Sequence, residues 1–175
     1  MFCCRAQEAA RLVSRTIHAV GGIAVRRGAR PRVAVIQRSK DKLWVLPRGK
    51  LKSYERPVAG ARREVVEETG FRVQVCEFVG VITYQTRGRP KVVRFWLMQA
   101  EAHPSYQVMK DVAAVEWLSF GAAVKRLSLP LEKLFLTNVG RHAVLRPRRP
   151  QTRMAKALTI KAGSGPKSSA RRTRA

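Results

Sequence analysis

Acidic side chains are scarce in this chain. Eleven Asp and Glu stand against 36 Lys and Arg among 175 residues, a formal charge of +25. A surplus of that size favours anionic partners such as nucleotides, polyphosphates, nucleic acid or acidic lipid surfaces, and says nothing about the fold. Cysteine is scarcer still, with Cys3, Cys4 and Cys76 alone. An odd count without a CxxC pair argues against both a disulfide framework and a structural zinc site. It fits incidental thiols in a reducing compartment, so a cytoplasmic setting is expected. No apolar run approaches the roughly eighteen residues of a membrane span, and no segment repeats itself; a soluble chain without a membrane span is expected.

The apolar fraction of 45% is ordinary for a globular protein, and the length suits one domain with extensions. The charge is uneven. No acid follows Glu132, whereas twelve Lys and Arg lie between Lys133 and Arg174. From Arg146 the text RPRRPQTRMAKALTIKAGSGPKSSARRTRA is rich in Pro, Gly, Ser and basic residues and cannot repay the entropy of ordering. Residues 146–175 are therefore expected to be a disordered cationic tail suited to nonspecific nucleic-acid contact. Residues 1–15 read as an extension, a short leading helix rather than a transit peptide, because Glu8 and the low Ser content fit targeting poorly. The domain is expected over residues 16–145.

Within it, TIHAVGGIAV (16–25) is β-branched and apolar, with Gly21-Gly22 marking a bulge or a close backbone approach. RVAVIQR (32–38) alternates, SKDK turns, and LWVLP is a short strand stopped by Pro47. Pro57 and Gly70 then bracket a helix in the expected asymmetric way. Val58, Ala61, Val65 and Thr69 form its apolar stripe, with Ala59 and Val66 beside it. Two strands follow around a turn at Arg87–Pro90, then a strand over 112–119, then a helical pattern over 121–144 interrupted near Pro130. This order implies an α/β fold, a mixed sheet covered by helices.

The scarce acids are not spread evenly. Glu55, Glu64, Glu67 and Glu68 fall inside fourteen residues. On a helix, Glu64, Glu67 and Glu68 share a sector about 100 degrees wide, where like charges repel. A solvated acidic face is the ordinary meaning of such a run. Three carboxylates on one face, with the apolar stripe to the side, also form a ligand set for a hard divalent cation such as Mg²⁺. Arg63, four residues before Glu67, can orient that carboxylate. Glu55 can fold back toward the same cation, and Gly49 permits a sharp turn that aims a carbonyl there.

The 23-residue stretch GKLKSYERPVAGARREVVEETGF (Gly49–Phe71) matches the Nudix box, GX5EX7REUXEEXGU, position by position. The chain thus resembles the Nudix hydrolases over roughly residues 16–145. The resemblance implies a Nudix-type α/β/α sandwich and cleavage of a nucleoside diphosphate linked to another moiety, with Mg²⁺ or Mn²⁺ and water as nucleophile. It further implies Glu64, Glu67 and Glu68 as metal ligands, Arg63 as their orienting residue, and Gly49 and Glu55 as completing the site.

The surrounding residues bear on the substrate. Leu46-Pro47-Arg48-Gly49-Lys50 is similar to the LPKGK segment of the diadenosine polyphosphate and diphosphoinositol polyphosphate branches, with Arg48 in place of Lys. Arg48, Lys50 and Lys52 would suit a polyphosphate chain. Tyr84, six residues before Pro90, resembles a base-stacking Tyr of asymmetrical diadenosine tetraphosphate hydrolases; it is equally an ordinary strand aromatic. Arg94 and Lys91 are candidate phosphate contacts. Glu116 matches a recurrent Nudix position, either a further carboxylate near the metal or a strand-end residue. The resulting order is a dinucleoside polyphosphate first, an inositol pyrophosphate second and an RNA 5′ end third. A non-catalytic polyanion-binding module is the alternative outside enzymology.

Overall fold

Residues that alternate between two buried faces build the centre of the molecule. The computed structural model describes residues 16–140 and residue 144, so the expected N-terminal extension and basic tail lie outside the described residues. In chain order the elements are β1 (Ile17–Arg26), β2 (Arg32–Arg38), β3 (Trp44–Val45), β4 (Arg48–Lys50), α1 (Pro57–Thr69), β5 (Val73–Thr86), β6 (Arg89–Ala100), β7 (Val112–Leu118), α2 (Phe120–Arg126) and α3 (Pro130–Phe135). A π-helical turn, Leu136–Gly140, follows α3.

The seven strands form one mixed sheet with a main path β3-β2-β1-β6-β5, β4 added to β1 and β7 to β2. β1 runs parallel to β6 along its whole length, and every other pair is antiparallel. β1 is central and covered on both faces, which is why it reads as a near-continuous apolar run. Ala19, Ile23 and Val25 point into a core shared with Phe95, Leu127, Phe135 and Leu136, on the α2 and α3 side. Val20 and Ala24 point the other way, into a core shared with Ala61, Val65, Phe71 and Met98, on the α1 side. The result is the predicted α/β/α sandwich.

α1 starts with Pro57 in its first turn and ends at Gly70, whose φ of 77° lets its N–H return to the Val66 carbonyl at 2.9 Å. Its buried residues are Gly60, Ala61, Glu64, Val65 and Thr69. The expected stripe is corrected at one end: Val58 is 41% exposed, because Pro57, Val58 and Ala59 form a first turn ahead of the part of the helix that meets the sheet. The glycine pair of β1 marks close approach, not a bulge. β1 and β6 keep continuous register there, and a Cβ on Gly21 would collide with the Pro47 carbonyl and the Arg48 side chain. The β5–β6 turn is tighter than the expected four residues: Arg87 and Gly88, at φ 49° and 68°, make a two-residue connection. Pro130 does interrupt the C-terminal helical segment, as the first residue of α3. Among the described residues no helix is long and apolar enough to cross a membrane.

Candidate active site

β4 follows immediately on Pro47 and lays Arg48–Lys50 antiparallel to Ala19–Gly21 of β1. This brings Gly49 against the side of α1, where a Cβ would overlap the Glu64 carboxylate. A side chain at this position would have to push the Glu64 carboxylate aside, so glycine leaves that acid where it is. The Arg48 backbone N–H donates to Glu68 Oε2 at 2.7 Å. A single strand residue pair therefore touches two of the three acids that the helix presents.

Arg63 gathers the remaining carboxylates. Its Nε and Nη2 donate to the two oxygens of Glu55 at 2.8 and 2.9 Å, a two-point grip. Its Nη1 donates to Glu64 Oε1 at 2.7 Å and to Glu67 Oε2 at 2.8 Å. Glu55 is thereby fixed from the loop ahead of the helix, helped by the Lys52 N–H at 3.2 Å. Hydrogen bonds from Arg63 hold the Glu55 carboxyl down at about 2, and the same bond to Glu55 pushes the Arg63 guanidinium above its ordinary value.

Glu64 and Glu68 behave oppositely. Burial raises the Glu64 carboxyl despite the Arg63 contact. Burial likewise pushes Glu68 up to about 8, against the opposing effect of the Arg48 N–H. Both line a cavity of about 640 Å³ whose other walls carry the basic residues Arg38, Lys40, Arg48, Lys50 and Lys91 and a single further acid, Asp111. Lys91 is driven down to about 8 by burial, with Arg48 and Arg38 adding to the effect. The cavity thus sets two carboxyls reluctant to ionise against a wall of cations. An incoming positive charge would favour ionised Glu64 and Glu68, and an incoming polyanion would favour charged Lys91.

Among the described residues, no group of three or more His, Cys, Asp or Glu side chains is gathered as a metal cage. The reason is visible in the hydrogen bonds: Glu64 and Glu67 turn to Arg63, and Glu68 turns to the Arg48 amide. The donors themselves are hard carboxylate oxygens one helical turn apart, the chemistry that suits Mg²⁺ or Mn²⁺.

Arg48 lines the cavity but is 8% exposed, and its Nε is committed to Glu132 Oε1 at 2.8 Å. Lys50 lines the cavity; Lys52 and Arg94 are not among its lining residues. Tyr84 is opposite Lys91 across the β5–β6 ladder, and the Lys91 Nζ lies 5.8 Å from its ring centre. Tyr84 is also partly buried against the α2/α3-side core, so it has a packing contact as well as a position near the cavity. Glu116 accepts from Arg126 Nη2 at 2.7 Å and does not line the cavity. Sequence reasoning missed Glu132, which reads as one more charge at the start of a helix; no local signal marks its burial.

Comparison with known proteins gives a consistent result. A family profile described as NUDIX domain matches residues 16–137. A "MutT-like protein" of Streptomyces ambofaciens is 34% identical over 109 residues, covering 62% of this chain and 68% of the relative. An "8-oxo-(d)GTP phosphatase" of Mycolicibacterium smegmatis is 32% identical over 104 residues; these cover 59% of this chain but 32% of that longer protein. A solved C. elegans Ap4A hydrolase shares the fold, with a TM-score of 0.63 at 21% identity over 69% of this chain and 93% of the other.

Proposed function

This chain belongs to the Nudix family of pyrophosphohydrolases, and we propose that it cleaves a phosphoanhydride bond of a dinucleoside polyphosphate, with a divalent cation held by Glu64, Glu67 and Glu68. The observation that carries this reading is the cavity that sets Glu64 and Glu68 against Arg38, Lys40, Lys50 and Lys91, with Glu67 joined to Glu64 through Arg63. A polyphosphate chain needs cationic contacts along its length, and the carboxylates need a cation between them and the phosphates. Such a cation, when bound, offsets phosphate charge and supplies the electrophilic assistance that phosphoanhydride cleavage requires.

The chain's own residues supply the rest. Arg63 fixes Glu64, Glu67 and Glu55 in one network, which holds the acids in place before substrate arrives. Gly49 brings the backbone close enough to Glu64 to leave no room for a competing side chain. Lys91, held down at about 8 by burial, is favoured in its charged form when phosphate enters. Tyr84, beside Lys91, offers a ring on which a base can stack.

A nucleoside triphosphate substrate is the second reading, favoured by the Mycolicibacterium relative named an 8-oxo-(d)GTP phosphatase. A cytoplasmic setting and nonspecific nucleic-acid contact through the basic C-terminal segment complete the proposal, on the strength of the odd cysteine count and the +25 charge. The test is turnover of a diadenosine polyphosphate, an 8-oxo-purine nucleoside triphosphate, an inositol pyrophosphate and a 5′-triphosphorylated RNA with Mg²⁺. The highest kcat/KM is expected on the diadenosine polyphosphate. Preference for the oxidised triphosphate would move the assignment to the second reading, and turnover of none would leave a binding module.

A further inference from the structure

Glu132 is the most deeply buried acid among the described residues, 1% exposed, in the first turn of α3. It lies 84 residues from its partner Arg48 in sequence and packs on the side of the sheet away from α1. Its two oxygens do different things. Oε2 accepts from the Leu46 N–H at 2.8 Å, and Oε1 accepts from Arg48 Nε at 2.8 Å. Pro47 between them has no N–H, and its carbonyl is taken by the Gly22 N–H at 3.1 Å. The Leu46–Arg48 strap is thus pinned at each of its three residues.

The same strap is what touches the candidate acids. The Arg48 N–H holds Glu68 Oε2 at 2.7 Å, and the next residue, Gly49, abuts the Glu64 carboxylate. Arg48 therefore faces two ways: its side chain is held by Glu132, and its backbone holds Glu68. With both charged side chains of the pair buried, 5% and 1% exposed, neither can swing to water as a substitute partner. A buried charge without a partner is strongly disfavoured, so the pair is fixed in place.

We infer that Glu132 is a positioning residue for the α1 carboxylates: through the Leu46–Arg48 strap it sets where the Arg48 amide holds Glu68 and where Gly49 confines Glu64. The inference rests on the hydrolase reading for its effect on turnover, but not for its effect on the strap. Glu132 does not itself line the cavity; it lies behind Arg48, which does, and takes no part in the chemistry. Its negative charge is also felt by Glu68 and Lys91, but its contacts with the site run through Arg48 and the backbone of residues 46–49.

The experiment uses Glu132→Gln in the full chain, with amide hydrogen exchange and steady-state kinetics measured together. Gln keeps an acceptor for Leu46 but turns an N–H toward Arg48 or loses the charge that held it. The Arg48 amide should exchange at least about tenfold faster, while amides of α1 at Val65 and Val66 keep wild-type protection. On the preferred substrate kcat should fall about tenfold with KM nearly unchanged, and Mn²⁺ binding followed by electron paramagnetic resonance should weaken. If Glu132→Gln does not fold, Arg48→Lys, which keeps the buried charge pair but changes its reach, is read in the same way. Unchanged Arg48 exchange, or a uniform loss of protection throughout α1, would overturn the inference. Wild-type protein that turns over nothing would sink the hydrolase reading instead, and the exchange result would still decide whether Glu132 holds the strap.

Discussion

Replacing Glu68 by Gln should make the cation-free protein more stable above neutral pH and leave it nearly unchanged at about pH 5. Glu68 titrates near 8 in the folded chain instead of at 4.5, because burial penalises its charge more than the Arg48 N–H compensates. A carboxyl whose folded value is raised contributes stability that is fully present below its unfolded value. That contribution is lost as pH rises through the folded value. The window is therefore roughly pH 4.5 to 8. At about 1.36 kcal/mol per pH unit the ceiling is about 5 kcal/mol. Glu68 keeps some contact with solvent, so screening reduces the expected loss to roughly 2–3 kcal/mol. Gln retains an oxygen for the Arg48 N–H and carries no charge, so it removes this loss. Glu55, held down at about 2, titrates below the window, and Lys91, at about 8, changes mainly above it. Thermal unfolding in chelator from about pH 5 to 9 measures the difference. The variant should gain on the wild type as pH rises, by roughly 4–12 °C at the alkaline end for a chain of this size. If Glu68 ligates as proposed, saturating Mg²⁺ should reverse the order, since a charged carboxylate is a stronger ligand for a hard cation than a neutral amide oxygen. Parallel pH curves for the two proteins would refute the claim that Glu68 is held unionised by its surroundings.

Gly49→Ala should be damaging in spite of its size, since the added methyl meets the Glu64 carboxylate. The carboxylate can swing aside, so little loss is expected in denaturant unfolding, while kcat should fall as Glu64 is displaced. Tyr84→Ala should weaken binding of a base-bearing substrate by about 1–3 kcal/mol, read as KM, whereas Tyr84→Phe should do little. Turnover of an inositol pyrophosphate, which has no base, should be nearly indifferent to either change; equal losses on both substrates would make Tyr84 a packing residue.

Local chemistry made much of this molecule legible. α1 has the bounds that Pro57 and Gly70 predict. Both long strands after it carry the β-branched and aromatic residues that suit a pleated surface. The Arg63–Glu67 contact follows from helical spacing alone. What escaped depended on contacts distant in sequence. β4 is three residues long, too short to show a period, and exists because β1 offers it an edge. Arg48 reads as a cation free for phosphate, yet the arrival of Glu132 from α3 takes its side chain into the interior. Val58 has the right azimuth for the buried stripe, but only the sheet's extent decides that the first turn stays exposed. The pairing of Glu116 with Arg126 likewise joins two elements, β7 and α2, that no sequence period relates.

The proposed hydrolysis requires α1 to hold a divalent cation. The direct measurement is hydrolysis of a diadenosine polyphosphate by chelator-treated protein as Mg²⁺ is titrated back, for wild type, Glu64→Gln and Glu67→Gln. Wild-type activity should vanish with the chelator and return with Mg²⁺. Each variant should unfold cooperatively yet turn over at least about a hundredfold more slowly, a loss of about 3 kcal/mol of transition-state stabilisation. Undiminished turnover in chelator, or near-wild-type rates for both variants at saturating Mg²⁺, would contradict it.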